Sequence, residues 1–223
     1  MPDRKTLKLQ FEYAKAQGWL PYFQSFASKF GFPAADLIAI ASRESNLKNI
    51  KGDFHSGEYH GYSLMQIDVN AYPEWVQSGS WQDAGAAILK GAEVLAEKRE
   101  LILKTSKLKS AKVRFRNGRV VSFTPRELND DSLRHCTLAA YNCGGASYYH
   151  YSVDNDIDAG TTGKDYGRDV MQRAAIFQGL LSESAGQAES TDADTFGSTD
   201  LLDAAVNSEK SLWARIKSAL LKY

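Results

Sequence analysis

Three helical stripes stand end to end in the first 45 residues, and they commit the chain to a fold built mainly of α-helices. Thr6 to Gln17 reads as a helix that stops at Gly18. Pro21 opens a second, with Tyr22, Phe23, Phe26 and Phe30 at helical spacing and Gly31 as its stop. Pro33 occupies the expected first position of a third, which carries Asp36 in the first turn, where the helix dipole favours an acid, and runs to about Ser45.

The rest of the chain is less regular at first. Residues 46–68, with three glycines and many polar residues, read as irregular turns, the apolar stretch before Asp68 being β-like. A long helix is expected over Asp83 to Leu103, and a hairpin over Val113 to Phe123 around Asn117-Gly118. Thr124-Pro125-Arg126-Glu127 has the form of a capping box that opens a helix. Further helices are expected near Leu133 to Asn142 and from Asp165 to Leu180. Residues 182–200 are small, polar and acidic and read as a flexible linker. Leu212, Trp213, Ile216 and Leu220 then fall on one face of an amphipathic C-terminal helix within 201–223. The expected organisation is a catalytic body over 1–181, the linker over 182–200 and the terminal helix.

Charge narrows the function classes. The 27 basic and 27 acidic side chains cancel, which excludes a strongly basic nucleic-acid coat. Cys136 and Cys143 are seven apart, about 10 Å along one helix, too far for a disulfide. There is no Cys-x-x-Cys pair and no Cys/His cluster, so no metal and no cofactor is expected. The first ten residues, MPDRKTLKLQ, do not read as a secretory signal, and no run of 18 apolar residues suits a transmembrane segment.

The chemistry begins on the third helix. Leu37, Ile40, Ala41 and Glu44 stand at i, i+3, i+4 and i+7, so one carboxylate falls on the apolar stripe near the helix end. Burial and a helix C-terminus both disfavour its charge, which suits a general acid near neutral pH. An ordinary ion pair with Arg43 explains the same residue equally well. Asp53 in a glycine-bearing loop, Asp68 after the β-like stretch, and Tyr141-Asn142 before Gly144-Gly145 each read singly as a turn or cap.

Together these pieces resemble the goose-type lysozymes. The motifs are Arg43-Glu44-Ser45, Gly52-Asp53, Gly61-Tyr62-Ser63-Leu64-Met65-Gln66-Ile67-Asp68, Ala140-Tyr141-Asn142-Cys143-Gly144 and Asp158-Ala159-Gly160-Thr161-Thr162-Gly163-Lys164-Asp165-Tyr166, the last followed by Asp169-Val170 and Arg173-Ala174. They run in order through about residues 20–180. Glu-Ser and Leu-Met-Gln are shared with soluble lytic transglycosylases; the two aspartates and the Gly-Thr-Thr stretch point to the goose type. The resemblance implies a mainly α (α+β) fold with a lysozyme-like helical core and a small β-sheet beside the cleft. It implies cleavage of the β-1,4 bond between N-acetylmuramic acid and N-acetylglucosamine in peptidoglycan. Glu44 matches the general acid, and Asp53 and Asp68 the acids that hold the attacking water. Tyr62, Gln66, Tyr141, Asn142 and Tyr166 match cleft residues that contact sugar or support the acid. The competing activity is a lytic transglycosylase, which forms 1,6-anhydro products without water, and a non-catalytic peptidoglycan-binding module is a further alternative.

Two departures stand out. Ser63 replaces the family's usual glycine and asks for a less permissive backbone. Lys104 to Arg119 carries seven bases and no acid. A solvated hairpin arm explains these; contact with anionic cell-wall polymers is the functional alternative. The expected partners are peptidoglycan glycan strands and, through 104–119, such polymers, with no nucleic acid and a monomeric chain.

Overall fold

The structure, a computed structural model, describes residues 2–115, 117–144 and 148–192, with side chains to 186. Among them are eight α-helices, a three-stranded antiparallel sheet and a separate hairpin. The expected mainly α class, with a small sheet, is what the chain adopts.

Helices α1 (Arg4–Ala16), α2 (Leu20–Phe30) and α3 (Ala34–Ser45) follow the stripes read from the sequence. Gly31 ends α2 in the left-handed conformation at φ 68°, which only a residue without a Cβ adopts cheaply. Pro33 lies one position outside its expected place: it is the extended N-cap, and α3 starts at Ala34. The apolar stripe on α3 is also wider than four positions. Leu37, Ile38, Ala39, Ile40 and Ala41 are all fully buried, so α3 is a central helix covered on every side. Each of its larger side chains contributes about 1.5–3 kcal/mol by leaving water.

Residues 46–68 depart from the irregular reading. Strands β1 (Lys51–His55), β2 (Glu58–Tyr62) and β3 (Ile67–Asp68) form one sheet in that order. Lys51 pairs with Tyr62, Gly52 with Gly61, and Gly61 in turn with Asp68. Asp53 therefore lies within a strand rather than a loop, although at φ 52° its backbone is locally left-handed. The strands are short and largely exposed, so no apolar alternation marks them in the sequence.

Helix α4 (Pro73–Gln77) and a 3-10 turn (Ser80–Gln82) lead to the long α5 (Ala84–Ser106), capped by Asp83 accepting from the Ala86 N–H at 2.7 Å. Strands β4 (Ala111–Arg114) and β5 (Val120–Phe123) form the expected hairpin. Its inner face is not solvated: Phe123 joins a buried cluster with Ile102, Cys136, Ala140 and Tyr151, against which Ala111 and Val113 pack.

No helix starts at the Thr124–Glu127 box. Pro125 makes a β-bridge to Ser152, and the Arg126 N–H donates to the Tyr151 carbonyl at 2.8 Å, so the segment is spent on pairing. The capping box lies five residues on, where Asn129 and Ser132 exchange hydrogen bonds at the start of α6 (Asp130–Cys143). Cys136 and Cys143 both lie on α6, and neither forms a disulfide among the described residues. After α7 (Tyr148–Tyr151) and a 3-10 turn (Thr162–Lys164), α8 runs from Tyr166 to Asp192. It is thus helical through 182–192, the first half of the stretch read as a linker. The chain divides into compact units at 1–177 and 178–223. The remainder of the linker and the amphipathic helix expected over 201–223 lie outside the described residues. No helix of the described residues is long and apolar enough to cross a membrane.

Candidate active site

Glu44 ends the buried α3 and is itself only partly exposed. Burial raises its carboxyl from the ordinary 4.5 to about 7; the hydrogen bond from Tyr166 and the charge of Arg43 pull the other way and lose. The Tyr166 hydroxyl donates to Glu44 Oε1. Tyr166 is 2% exposed, and burial, followed by the Glu44 charge, holds its phenol well above its ordinary 10, so it remains a donor.

The ion pair weighed for Arg43 goes elsewhere. Its guanidinium binds Asp165 and Asp169, both at 3.0 Å, and lies 5.8 Å from the centre of the Tyr166 ring. Asp169 is bound in turn by Arg173 at 2.7 Å, and Arg173 donates to the Ser42 hydroxyl at 2.8 Å. The cation nearest to Glu44 in sequence is thereby committed to two carboxylates of the Asp-Tyr segment.

The turn that delivers Tyr166 is organised by Asp158, the first residue of the Asp158–Tyr166 motif, to which the sequence assigns no role of its own. Asp158 is fully buried and accepts from the Gly167 and Arg168 N–H groups at 2.7 and 3.1 Å and from His135 Nε2 at 2.7 Å. Burial alone would raise its pKa, but His135 and the two N–H groups outweigh it and hold it at about 2. Thr161 Oγ1 donates to the Asp158 carbonyl at 2.8 Å and accepts from the Tyr166 N–H at 3.2 Å. Asn142 Oδ1 accepts from the Thr162 N–H at 2.8 Å, tying α6 to the same turn. Tyr141 donates to the Met65 carbonyl at 2.9 Å, tying α6 to the loop before β3.

The sheet carries the two aspartates. Both are exposed, in contrast to Glu44. Asp53 Oδ1 is 3.6 Å from His55 Nδ1. Asp68 Oδ1 accepts from the Asn70 N–H at 2.8 Å, and the Asn70 amide is 3.0 Å from His60 Nδ1. The His55 and His60 rings stack at 3.7 Å, so a relay of contacts, through the side chain and backbone of Asn70, runs from one aspartate to the other. Gln66 is a strut beneath them. Its amide donates to the Ser63 and Ile50 carbonyls at 2.7 and 3.2 Å. It lies against Gly52 and Gly61, where an added Cβ would overlap it, which is why a cross-strand pair of glycines stands there. Tyr62 packs edge-on against Trp81, 5.5 Å between ring centres.

Ser63 adopts the glycine-like conformation after all, at φ 75° and fully buried. Its hydroxyl accepts from the Met65 N–H at 3.1 Å, a bond worth about 1 kcal/mol that offsets much of the left-handed strain. Among the described residues, no group of three or more His, Cys, Asp or Glu side chains is placed to hold a metal ion.

No family model matches the chain. Two curated proteins do. A lysozyme g of Takifugu rubripes is 35% identical over 149 residues, 65% of this chain and 65% of that protein. A lysozyme g of Epinephelus coioides is 31% identical over 161 residues, covering 69% of this chain and 71% of its own length. The chain belongs to the goose-type lysozymes. In this goose-type lysozyme the contacts missed by sequence reasoning, those of Asp158 with His135 and the Gly167 N–H and of Arg43 with Asp165 and Asp169, share a cause. Their partners lie 9 to 126 positions away, and no local spacing reveals such contacts.

Proposed function

We propose that this lysozyme hydrolyses the β-1,4 bond between N-acetylmuramic acid and N-acetylglucosamine in peptidoglycan with inversion at the anomeric carbon. Glu44 donates its proton to the leaving sugar oxygen, and Asp53 and Asp68 hold the water that attacks from the opposite face. The observation that carries this reading is the contrast in environment. One carboxyl is held near neutrality by burial, with a phenol donating to it, while two others stand exposed on a nearby sheet. An acid with a pKa near the working pH is the efficient choice, and ionised carboxylates are what a nucleophilic water requires.

The cleft residues then take distinct duties. Tyr166 orients the Glu44 carboxyl. Tyr141 and Asn142 brace the turn and loop on either side of it, Gln66 supports the strand bearing Asp53, and Tyr62 offers a ring to sugar. This chemistry resides within residues 1–181 of a monomer. The basic stretch 104–119, which runs from the end of α5 into the hairpin, adds affinity for anionic wall polymers.

Product analysis tests the reaction. Digestion of peptidoglycan in H2(18)O should give muropeptides with a labelled reducing end, and NMR of fresh product should show the inverted anomer. Unlabelled 1,6-anhydro products would establish a transglycosylase instead.

A further inference from the structure

Lys51 is the sole lysine or arginine in the three strands that carry Asp53 and Asp68. Its ammonium lies 5.3 Å from the Trp81 ring centre, 5.7 Å from Tyr62 and 5.9 Å from Tyr59. All three distances fall within the range of cation–π attraction. The rings come from β2 and from the 3-10 turn, and that turn is anchored to the start of the sheet by the Asn49 amide donating to the Gln82 carbonyl at 2.8 Å. Lys51 is nonetheless exposed, and its contacts are with aromatic faces rather than with an acid. A flexible four-carbon stem is thus placed among three rings, and none of the ion pairs among the described residues joins its charge to a carboxylate.

Position gives this charge a use. Lys51 is two residues before Asp53 on one strand, about 6.6 Å at the usual rise, and is paired in the ladder with Tyr62. The surrounding sheet is otherwise acidic, with Asp53, Glu58 and Asp68 all exposed. Such a surface repels a glycan that carries carboxylates, and a preorganised cation beside the acids reverses that repulsion locally.

We propose that Lys51 determines substrate specificity by binding a carboxylate of the muramic glycan, so that charged strands are favoured over uncharged N-acetylglucosamine polymers. This rests on the lysozyme reading above. The carboxylate has two sources of the same chemistry, the free lactyl group of peptide-free strands and the acidic groups of the stem peptide.

The test compares Lys51→Met, which keeps the stem among the rings without the charge, with Lys51→Arg, which keeps the charge. Each is assayed on chitohexaose, on peptide-free glycan strands and on peptide-bearing strands. The ratio of kcat/KM on charged strands to that on chitohexaose should fall about fivefold in Lys51→Met, through KM rather than kcat, the upper end for an exposed ion pair. Lys51→Arg should restore it, and 0.5 M salt should narrow the gap between wild type and Lys51→Met. A fall confined to peptide-free strands assigns the lactyl group; one confined to peptide-bearing strands assigns the stem. An unchanged ratio on both, or an equal loss for Met and Arg, overturns the proposal. Wild-type cleavage of peptide-bearing strands tests the lysozyme reading separately, because it does not depend on the ratio.

Discussion

Replacing Glu44 by Gln should do two opposite things, and the size of the second follows from the structure. Activity on peptidoglycan should drop at least ~10²-fold, the low end for loss of a general acid, because the amide keeps the shape but has no proton to give. Stability should rise at alkaline pH. A carboxyl raised from 4.5 to about 7 binds its proton more tightly in the folded chain than in the unfolded one. Its contribution is therefore complete below pH 4.5 and is lost as pH climbs to 7 and beyond, costing the wild type about 3 kcal/mol by pH 8. Gln avoids that cost and still accepts from the Tyr166 hydroxyl, so the interaction at Oε1 survives. For a body of this size the difference amounts to roughly 6–12 °C in Tm. Thermal melts of both proteins should be recorded at pH 4.5 and pH 8, where shifts from every other group cancel between the two. The variant should gain on the wild type across that interval. A Tm difference independent of pH would mean that Glu44 titrates normally, and the assignment of the acid would lose its physical basis. The same titration predicts that wild-type kcat/KM falls as pH rises through about 7.

Asp53→Asn and Asp68→Asn should each lower hydrolysis in part, and the double variant far more than their product, since either acid can hold the shared water; normal turnover by the double variant would return both to structural duty. Asp158→Asn should cost about 3 kcal/mol in urea unfolding, because a buried carboxylate with three donors is replaced by a group whose amide repels donors. Acid should act in the same direction on the wild type: Asp158 stabilises the fold above pH 3.8, and its contribution disappears as pH falls through about 2. A chain ending at Leu181 should cleave soluble oligosaccharide at near the full rate, and failure to fold would show that later residues belong to the body. Gln at Lys107, Lys109, Lys112 and Arg114 should weaken binding to whole cells at low salt, judged by salt titration; coincident curves would leave these bases a solvated charge run without a partner in the wall.

The helical part of the fold was legible because its punctuation is local. Gly18, Gly31 and Pro21 are read from neighbours alone, and α1 to α3 fell within two residues of expectation. The sheet was not, because its pairing depends on Gln66 filling the space over Gly52 and Gly61, a contact made at a distance of 5 to 14 positions. Thr124-Pro125 misled for a related reason: its capping pattern is sound, but Ser152 and Tyr151 offer the backbone a better partner. In the site, the elevated acid was visible in one apolar stripe. What was not visible is how Arg43, immediately beside it, is prevented from pairing with it. That depends on Asp165 and Asp169, more than 120 positions on, in the segment that also supplies Tyr166.

That long-range dependence has a consequence for the order in which a working enzyme comes into being. Synthesis proceeds from the N-terminus, so Glu44, Asp53 and Asp68 emerge early, with most of the chain still to come. Until residues 165–169 follow, Arg43 has neither of its two carboxylates, and Glu44 lacks the phenol that directs its proton. In the mechanism proposed above, the growing chain thus holds its three acids before it holds the groups that position the first of them. The start of α8 and the residue before it are the last part of the site to be made, so the surroundings of Glu44 are completed only when translation of the body is nearly finished.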